Sequence, residues 1–378
     1  MNRREFILTS AVSAAASTLS GSAAAAQAVD KQKLVYLYGD GLLLSPLEHM
    51  KVLQELMAQG TVERDFYCRG GVVTALEQRM AALLGKEAGM VFPTGTMANH
   101  LALRTLAGEE RRILVSRESH TYNDEEDGPQ LISGLAMVPL GSGKATFTLQ
   151  EVQSEIQHFT GGYRKVPIGA IAIESPVRRR DGALFDFEEM KKISAFAQTN
   201  KIRMHLDGAR LLLAPPYSKV APAQYAALFD TVYVSLYKYL GAPFGAILCG
   251  PKKLLDSMRP VRQSLGGAVF GAWPAACIAL KTLEGFPERF ASAVALSEEF
   301  LRRLAADRRV RVERIAGGTN IARLHLAGVD GTKLAQSLEA EGIRIQRPED
   351  GVLEVQTNES LLRSSAEKLA QTFLRALG

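Results

Sequence analysis

The sequence SLYKYLGAPFG, Ser235–Gly245, joins two short apolar runs that have the length and composition of buried β-strands. Lys238 lies within this connection. A lysine held between two buried strands loses the solvation of its ammonium group, and its pKa falls as a result. The neutral amine is a nucleophile, and its usual partner in enzymes is a carbonyl group with which it forms a Schiff base. The stretch therefore predicts both a sheet and a reactive amine at the end of a strand.

Further apolar runs lie on both sides of this connection, and helical patterns separate most of them. The predicted strands are Gly89–Phe92, Ile113–Val115, Ile168–Ile173, Ile202–Leu206, Thr231–Ser235 and Ala246–Cys249. The helical patterns between them are Met97–Leu106, Leu149–His158 and Phe187–Gln198. Such alternation predicts an α/β fold with a mainly parallel sheet that is covered on both faces. In sheets of this kind, ligands bind at the carboxyl ends of the strands.

The pattern of elements changes after about residue 251. Two long helical patterns, Val269–Leu283 and Glu288–Ala305, are followed by short strands and helices up to Leu377. A chain of 378 residues is long enough for one large and one smaller domain. We therefore predict four segments. They are an export signal (1–28), an N-terminal arm (29–60), a large ligand-binding domain (61–255) and a smaller C-terminal α/β domain (256–378).

The first residues have the features of an export signal. Arg3-Arg4 precedes an apolar segment rich in alanine and serine, which ends in small residues near Ala28. The paired arginines favour the twin-arginine route and predict a periplasmic protein. An ordinary Sec signal is the alternative, and a lipoprotein-like anchor is disfavoured because no cysteine lies near the cleavage site. No later apolar run approaches the ~18 residues of a membrane span, so no membrane association is predicted after signal removal.

Composition excludes some classes of function. The chain is 47% hydrophobic and 22% charged, which is ordinary for a globular protein. A formal net charge of +5 is small for this length and disfavours binding to nucleic acid. The three cysteines have no metal-site spacing, and Cys249 and Cys277 lie in apolar runs that predict core positions. We predict no metal site.

An acid is placed to act together with Lys238. Asp207 ends the predicted strand in the segment HLDGAR, His205–Arg210. Taken alone, an aspartate here is about as well explained as a helix cap. The interval from Asp207 to Lys238, however, is about that of a strand–helix–strand unit, so the two side chains are expected at the same edge of the sheet.

A phosphate-binding turn completes the set. The segment FPTGTM, Phe92–Met97, leaves a strand and opens a helix, so Gly95 and Thr96 offer free amides at the positive end of a helix dipole. Ser235 adds a hydroxyl group and Arg262 adds charge. This turn is a weak motif by itself, since a plain capping turn has the same sequence. An amine, an acid and an anion site together predict pyridoxal phosphate (PLP) as the cofactor.

His120 follows another predicted strand, in Ser119–Tyr122. An imidazole at this place can cover a cofactor ring and move protons. A loop histidine bonded to the backbone is an equally good explanation from the local sequence. The acidic run Asn123–Asp127 is better explained as a solvated loop than as a metal site.

These motifs together resemble the low-specificity threonine aldolases. HLDGAR, SLYKYLGAP, FPTGTMAN and the Ser-His turn occur in the order and approximate spacing of that family, from about Asp40 to the C-terminus. The family belongs to the β-eliminating lyase group of PLP enzymes with the aspartate-aminotransferase (type I) fold. The resemblance implies an aldehyde-lyase that cleaves a β-hydroxy amino acid between Cα and Cβ, giving glycine and an aldehyde. It also implies a homo-oligomer, either a dimer or a tetramer built from two dimers, in which the N-terminal helices and Tyr67–Arg69 are candidate contacts.

The resemblance also assigns roles to individual residues. Lys238 carries the cofactor covalently, Asp207 bonds the pyridine nitrogen, and Gly95 and Thr96 bind the phosphate. His120 covers the ring, and Arg210 lies near the cofactor and the amino-acid substrate. Lys238, His120 and Asp207 are the implied catalytic residues.

Several positions depart from the family pattern, all on the substrate side. Gly39-Asp40 replaces a serine–aspartate pair, Leu213 replaces an asparagine, and Ala268–Gly271 replaces a sequence that ends in arginine–glutamine. The arginine expected to bind the substrate carboxylate is missing around Leu353, for which Arg344 and Arg347 are candidate substitutes. The run Arg178–Arg180 adds positive charge near the expected site, although a solvated loop explains it better.

Three alternatives stay open at the level of the sequence. Another PLP reaction, such as β-elimination, racemisation or transamination, would use the same cofactor residues. A periplasmic protein could retain PLP without catalysing a reaction. In a globular domain without cofactor, Lys238 and Asp207 would simply form an ion pair.

Overall fold

This computed structural model describes residues 34–60 and 62–378, so the predicted export signal at residues 1–28 lies outside the described residues. The strands are β1 (Val35–Tyr36), β2 (Ala88–Phe92), β3 (Arg112–Ser116), β4 (Ala136–Leu140), β5 (Ala170–Glu174), β6 (Arg203–Asp207), β7 (Thr231–Ser235), β8 (Ala246–Gly250), β9 (Val310–Arg314), β10 (Ile321–Leu326), β11 (Ile343–Arg344) and β12 (Val352–Gln356). The α-helices are α1 (Pro46–Ala58), α2 (Gly71–Leu84), α3 (Gly95–Ala107), α4 (His120–Asn123), α5 (Gly128–Ser133), α6 (Leu149–Thr160), α7 (Phe187–Thr199), α8 (Pro215–Ser218), α9 (Pro222–Ala226), α10 (Lys252–Ser264), α11 (Trp273–Leu283), α12 (Phe286–Leu304), α13 (Gly331–Ala340) and α14 (Ala366–Ala376).

The larger sheet has seven strands in the order β2-β8-β7-β6-β5-β3-β4. All neighbours from β7 to β4 are parallel, and only β8 runs antiparallel to its two neighbours. The predicted mainly parallel sheet is therefore confirmed. The sequence did not reveal β4, which forms one edge of the sheet and contains Pro139, because a proline in a short and less buried run argues against a strand.

Both faces of this sheet are covered, as the continuous apolar runs predict. Successive side chains of a strand point to opposite faces, so Met90 and Phe92 enter one hydrophobic cluster while Val91 enters another. Helix α3 packs across the sheet on one side, in contact with β2, β3, β5, β6, β7 and β8. The central strands are thus buried on both sides, and only their ends are open to a ligand.

A smaller antiparallel sheet, β12-β10-β9, lies in the C-terminal part, and β1 pairs with β11 in a separate parallel pair. Its hydrophobic cluster begins with Val35 and Leu37 and otherwise starts at Phe300. Residues of α11, such as Cys277, pack instead on the core of the large sheet. The core therefore changes within α12, later than the boundary predicted at residues 255 and 256, which stays a prediction.

Two helices differ from the sequence prediction. The pattern assigned to Val269–Leu283 forms a helix only from Trp273, and α10 was not predicted. Pro260 lies inside α10, and Arg262 is one of its three buried residues beside Leu255 and Met258, so a proline and a charged side chain interrupt the pattern that predicts a helix. Cys68, Cys249 and Cys277 are all free and buried. No helix in the described part of the chain combines the length and apolar character that crossing a bilayer requires.

Candidate active site

The carboxyl ends of several parallel strands meet at one edge of the large sheet, around a cavity of about 350 Å³. Because β8 is antiparallel to β7, the connection between them stays at this edge and brings Lys238 to it. The cavity wall contains six of the residues predicted for the site, namely Gly95, Thr96, His120, Asp207, Arg210 and Lys238. The residues that the sequence placed at strand ends are thus brought together.

Lys238 has the environment of a reactive amine. Burial lowers its pKa, and the nearby Arg210 lowers it further. Among the described residues, no carboxylate lies within ion-pair distance of its Nζ atom, so the alternative of a plain Lys238–Asp207 ion pair is wrong. Gly41 packs against the lysine backbone, since a Cβ atom at residue 41 would lie 2.6 Å from the Lys238 carbonyl oxygen. The main chain that carries the amine is therefore tightly held.

Asp207 is buried and belongs to a hydrogen-bond network. Its Oδ1 accepts from the backbone N–H of Ala209 at 3.1 Å, and its Oδ2 accepts from Asn99 Nδ2 at 2.8 Å. Asn99 Oδ1 lies 3.0 Å from His205 Nε2, and His205 Nδ1 lies 2.8 Å from Thr231 Oγ1. Burial lowers the pKa of His205 to about 4, so this histidine is neutral near pH 7. These partners fix the orientation of the Asp207 carboxylate.

His120 begins the short helix α4, which Ser119 caps by accepting from the backbone N–H of Tyr122. Its Nδ1 lies 3.2 Å from Glu125 Oε1, and this hydrogen bond raises the pKa of His120. The Glu125 side chain is 0% exposed, so the interpretation of Asn123–Asp127 as a solvated loop is wrong for this residue. Burial raises the pKa of Glu125.

Glu174 is a buried carboxylate of the site that the sequence analysis missed. It ends β5 and pairs in register with Asp207 on β6. Its oxygens accept from the backbone N–H groups of His120 at 2.6 Å and Arg178 at 2.8 Å. Burial raises its pKa to about 7. The signal that revealed Asp207, an acid at the end of an apolar strand, is also present in the run AIAIE.

The turn before α3 can bind an anion. Thr94 caps the helix, and its Oγ1 accepts from the backbone N–H of Met97 at 3.2 Å. Gly95 and Thr96 line the cavity, and their N–H groups precede the first intrahelical hydrogen bonds. Gly95 must lack a side chain, because a Cβ atom there would collide with the Tyr233 hydroxyl group.

Two predicted phosphate ligands do not line the cavity. Ser235 is fully buried, and its hydroxyl oxygen has no hydrogen-bond partner in the described part of the chain. Arg262 is also buried, donates to the Val91 carbonyl oxygen and lies over the Phe92 ring. The structure does not bring these side chains to the cavity wall, and their role in binding stays a prediction.

The substrate side differs from the expected family pattern in a defined way. Leu353 lies in the small-domain core opposite Leu324 and does not line the cavity. Arg344 pairs with Glu339 at 3.0 Å, and neither Arg344 nor Arg347 lines the cavity. Arg210 remains, with its Nε bonded to Asp40 Oδ2 at 2.8 Å. The other oxygen of Asp40 accepts from Asn320 Nδ2 at 3.3 Å.

The run Arg178–Arg180 forms a short 3-10 helix beside the cavity. Arg178 lies 3.7 Å from Glu354, and Arg179 lies 2.8 Å from Asp124. All four of these side chains are partly exposed, in keeping with the solvated loop that the sequence favoured. The first two positive charges of this run are therefore already paired.

The residues around the cavity fit PLP. A lysine amine of lowered pKa, a fixed carboxylate and the amides of a helix start are the groups that PLP requires. The close packing at Gly41 and Gly95 holds two of these groups in place. The site therefore has the donor set of a PLP enzyme.

Comparisons with known proteins agree with this assignment. A low-specificity L-threonine aldolase of Eremothecium gossypii is 34% identical over 196 residues, which cover 51% of this chain and 50% of that protein. An alanine racemase of Cochliobolus carbonum is 35% identical over 194 residues, which cover 51% of this chain and 49% of that protein. The chain thus spans about half the length of these curated relatives.

A solved structure from Exiguobacterium sp. 255-15, named for the aromatic amino acid β-eliminating lyases and threonine aldolases, is 26% identical. Its TM-score is 0.77, and the match covers 91% of this chain and 97% of that one. The predicted type I fold of PLP-dependent enzymes is confirmed. The family model of the β-eliminating lyases matches residues 47–367, which is most of the sequence. The chain belongs to the β-eliminating lyase family.

Proposed function

We propose that this protein is a PLP-dependent lyase that cleaves the Cα–Cβ bond of a β-hydroxy amino acid and releases glycine and an aldehyde. The observation that carries the proposal is the meeting of Lys238, Asp207 and the start of α3 around one cavity, with His120 in its wall. Membership of the β-eliminating lyase family and the similarity to a threonine aldolase support it.

Each residue around the cavity is suited to a different part of PLP. When bound, PLP supplies an aldehyde that condenses with amines and a ring that accepts the electrons of the broken bond. Lys238 offers the amine, and its lowered pKa increases the neutral fraction that can react. With the cofactor bound, Asp207 would hold a proton on the ring nitrogen, and Gly95 and Thr96 would bind the phosphate through their backbone N–H groups.

The remaining wall residues act on the substrate. Among the described residues, Arg210 bonds Asp40 through its Nε alone, so its two Nη groups can bind the substrate carboxylate in place of the missing arginine. His120 takes the proton of the β-hydroxyl group through Nε2 while a carbonyl forms at Cβ and the Cα–Cβ bond breaks. Arg210 and His120 together orient that bond for cleavage.

A covalent-labelling experiment tests the proposal. Borohydride reduction of the PLP-loaded protein should attach the cofactor to Lys238, and Lys238→Ala should lose both the label and the visible absorption band. Lys86→Ala is the matched control, since Lys86 is also a partly buried lysine whose pKa burial lowers, but it bonds the Phe229 carbonyl away from the cavity. Retention of the label in Lys238→Ala would overturn the proposal.

A panel of substrates tests the reaction itself. Release of an aldehyde and glycine from threonine, allo-threonine or phenylserine is the expected result. If the protein binds PLP but releases no product from any of these substrates, the result would instead support a PLP-retaining protein without catalytic activity. An α-keto acid as product would indicate elimination or transfer.

Racemisation is the second candidate, and the similarity to an alanine racemase favours it over the other PLP reactions. Tyr237, which is exposed, has its ring 5.8 Å from Lys238 Nζ in the cavity wall and could exchange a proton at Cα. Loss of optical activity from L-alanine, without release of any product, distinguishes this reaction from cleavage.

We also propose that the protein is a homo-oligomer. Phe66, Tyr67 and Phe270 are each more than half exposed. The rings of Phe66 and Tyr67 both contact the Phe270 ring edge to face. Leu47 and Met50 on α1 are exposed as well. Such an exposed apolar surface is unusual on a monomer and suits burial against a second copy of the chain.

Phe270→Asp should lower the molecular mass that light scattering measures in solution. Cys68, within the predicted contact, is buried inside the chain.

Periplasmic export is proposed from Arg3-Arg4 and the segment after them. Cell fractionation tests it, because replacing both arginines with lysine should retain the protein in the cytoplasm. Equal amounts of the wild type and of the double-lysine variant in the periplasm would contradict the twin-arginine route.

A further inference from the structure

Glu125 is a carboxylate without access to water in a loop whose other acids are exposed. Its Oε1 accepts from Asn99 Nδ2 at 3.0 Å and lies 3.2 Å from His120 Nδ1. Its Oε2 has no hydrogen-bond partner in residues 34–60 and 62–378. Burying a carboxylate with one oxygen unpaired destabilises the fold, so packing alone gives no reason for an acid here.

The neighbours of Asn99 determine the direction of each hydrogen bond. Asn99 lies between the carboxylates of Asp207 and Glu125, so its Nδ2 donors must face both, because an amide oxygen there would face two acceptors. Its Oδ1 then accepts from His205 Nε2. Glu125 Oε1 is consequently an acceptor, and the Nδ1 of His120 beside it must carry a hydrogen. In a neutral imidazole the other nitrogen, Nε2, is then the acceptor.

We infer that Glu125, held by Asn99, is a positioning residue that fixes the Nδ1–H tautomer of His120 and so makes Nε2 the base of the cavity. Among the described residues, Nε2 of His120 has no hydrogen-bond partner, and His120 lines the cavity. The inference rests on the proposed function, in which Nε2 takes the proton of the substrate hydroxyl group. It adds Glu125 and Asn99 to the residues on which the chemistry depends.

The ionisable groups that face His120 come from four elements. Glu125 follows α4 in the same loop, Asp207 ends β6, Lys238 follows β7, and Glu174 at the end of β5 accepts from the backbone N–H of His120. The hydrogen bond that Glu125 accepts is the largest cause that raises the pKa of His120, Asp207 raises it further, and Lys238 lowers it. Glu125 itself faces Asn99 and Asp207. Removing the charge of Glu125 should therefore lower the pKa of His120.

The test compares the PLP-loaded wild type with Glu125→Gln and Glu125→Leu. Glutamine keeps the oxygen that accepts from Asn99 and His120 but removes the charge, whereas leucine removes both. Side-chain ¹⁵N NMR, with the His120 signals assigned by their absence from His120→Gln, reports tautomer and pKa. In Glu125→Gln we expect the pKa of His120 to fall by about one unit or more. The low-pH limb of kcat/KM should move to lower pH with it. In Glu125→Leu the Nδ1–H tautomer should be lost.

Ser133→Ala is the matched control. Its hydroxyl group lies 2.6 Å from Nε2 of His100, a buried histidine next to Asn99 on α3 that is not part of the cavity wall. The tautomer, the pKa of His120 and the pH profile should be unchanged. Glu125→Asp keeps the charge, so it should retain more of the raised pKa than Glu125→Gln does.

The outcomes separate this inference from the proposed function. An active protein in which Glu125→Gln leaves both the pKa of His120 and the pH limb unchanged overturns the inference but not the function. The expected NMR changes in a protein that cleaves no substrate uphold the positioning of His120 and overturn the function. If Glu125→Gln and Glu125→Leu do not fold, the tautomer of neutral His120 in the wild type decides: a hydrogen on Nδ1 supports the inference, and a hydrogen on Nε2 overturns it.

Discussion

Two histidine–glutamate pairs in this protein show how burial decides the behaviour of the same two side chains. His120 and Glu125 lie 3.2 Å apart at the cavity, with the glutamate 0% exposed. His325 and Glu313 lie closer, at 2.6 Å, on the small sheet, where they are 29% and 35% exposed. Burial raises the pKa of Glu125, whereas the hydrogen bond to His325 lowers the pKa of Glu313. Access to water, and not the distance, sets the direction of the shift.

The surroundings of the two pairs differ in the same way. The cavity pair belongs to a network in which Asn99 also binds Asp207 and His205, with every side chain except that of His120 buried. The surface pair belongs to a network in which Arg323 contacts Asp181 and Glu313, and each of these is about one-third exposed. A buried network must be complete because water cannot replace a lost partner, whereas an exposed one can lose a member at little cost.

The largest expected effect is on stability. Asn99→Leu removes the partner of three buried groups, and each unsatisfied group costs about 1–3 kcal/mol, so the free energy of unfolding should fall by at least about 3 kcal/mol. Arg323→Leu removes both surface contacts and should cost less than about 1 kcal/mol. Urea denaturation measures both changes. Equal losses in the two variants would mean that burial does not separate the networks.

A smaller effect concerns acid sensitivity. The pKa of His205 is lowered from 6.5 to about 4, so between these pH values the unfolded chain binds a proton that the folded chain does not. Stability from this residue is therefore present above pH 6.5 and is lost as the pH falls toward 4. The difference in unfolding free energy between wild type and His205→Gln should change by about 2 kcal/mol between pH 7 and pH 5, to the disadvantage of the wild type.

His205→Gln keeps a donor for Asn99 and an acceptor for Thr231, which makes it a mild change. The unfolding free energy of the wild type has to be compared with that of His205→Gln because Glu174 also titrates in this range. Its pKa is raised to about 7, so it changes the stability with pH in the opposite direction. A neutral glutamic acid is favoured in the fold, so this residue stabilises as the pH falls below 7. A pH-independent difference would show that His205 does not titrate in this range.

The smallest effect is the response to salt. Exposed charges are screened at a Debye length of about 8–10 Å near physiological ionic strength, and buried ones much less. The cost of Arg323→Leu should shrink further when sodium chloride is raised to about 1 M, whereas the cost of Asn99→Leu should stay the same. Denaturation series at two salt concentrations measure this, and a salt-dependent Asn99→Leu would contradict the buried character of its network.

The parts of the site that could be predicted from the sequence are those with a local signal. Lys238, Asp207 and His120 each follow an apolar run, and Gly95 opens a helix, so strand ends alone placed them at one edge. Asn99 and Glu125 had no such signal, because one looks like a helix residue and the other like a surface acid. Their burial depends on partners such as Asp207, 108 residues from Asn99 in the sequence.

The fold, too, could be predicted only where the sequence has a local signal. The large sheet could be predicted because its strands are continuous apolar runs, whereas the N-terminal arm could not be assigned to a core. Val35 pairs with Ile343 across more than 300 residues, and a two-residue strand carries no periodicity of its own. The sequence also places Ser235 and Arg262 near the phosphate, but it does not reveal that both side chains are buried outside the cavity wall.

Gly41 offers no atom to the chemistry, yet even a methyl group there would meet the main chain that carries Lys238. A saturation scan of the gene should therefore find this position nearly as intolerant as the lysine itself. Gly128, where an added Cβ meets nothing within 4 Å, should accept alanine freely. Selection at residue 41 would then act on the absence of a side chain. An invariant glycine there would indicate that a neighbouring backbone passes close by, and not that a ligand binds.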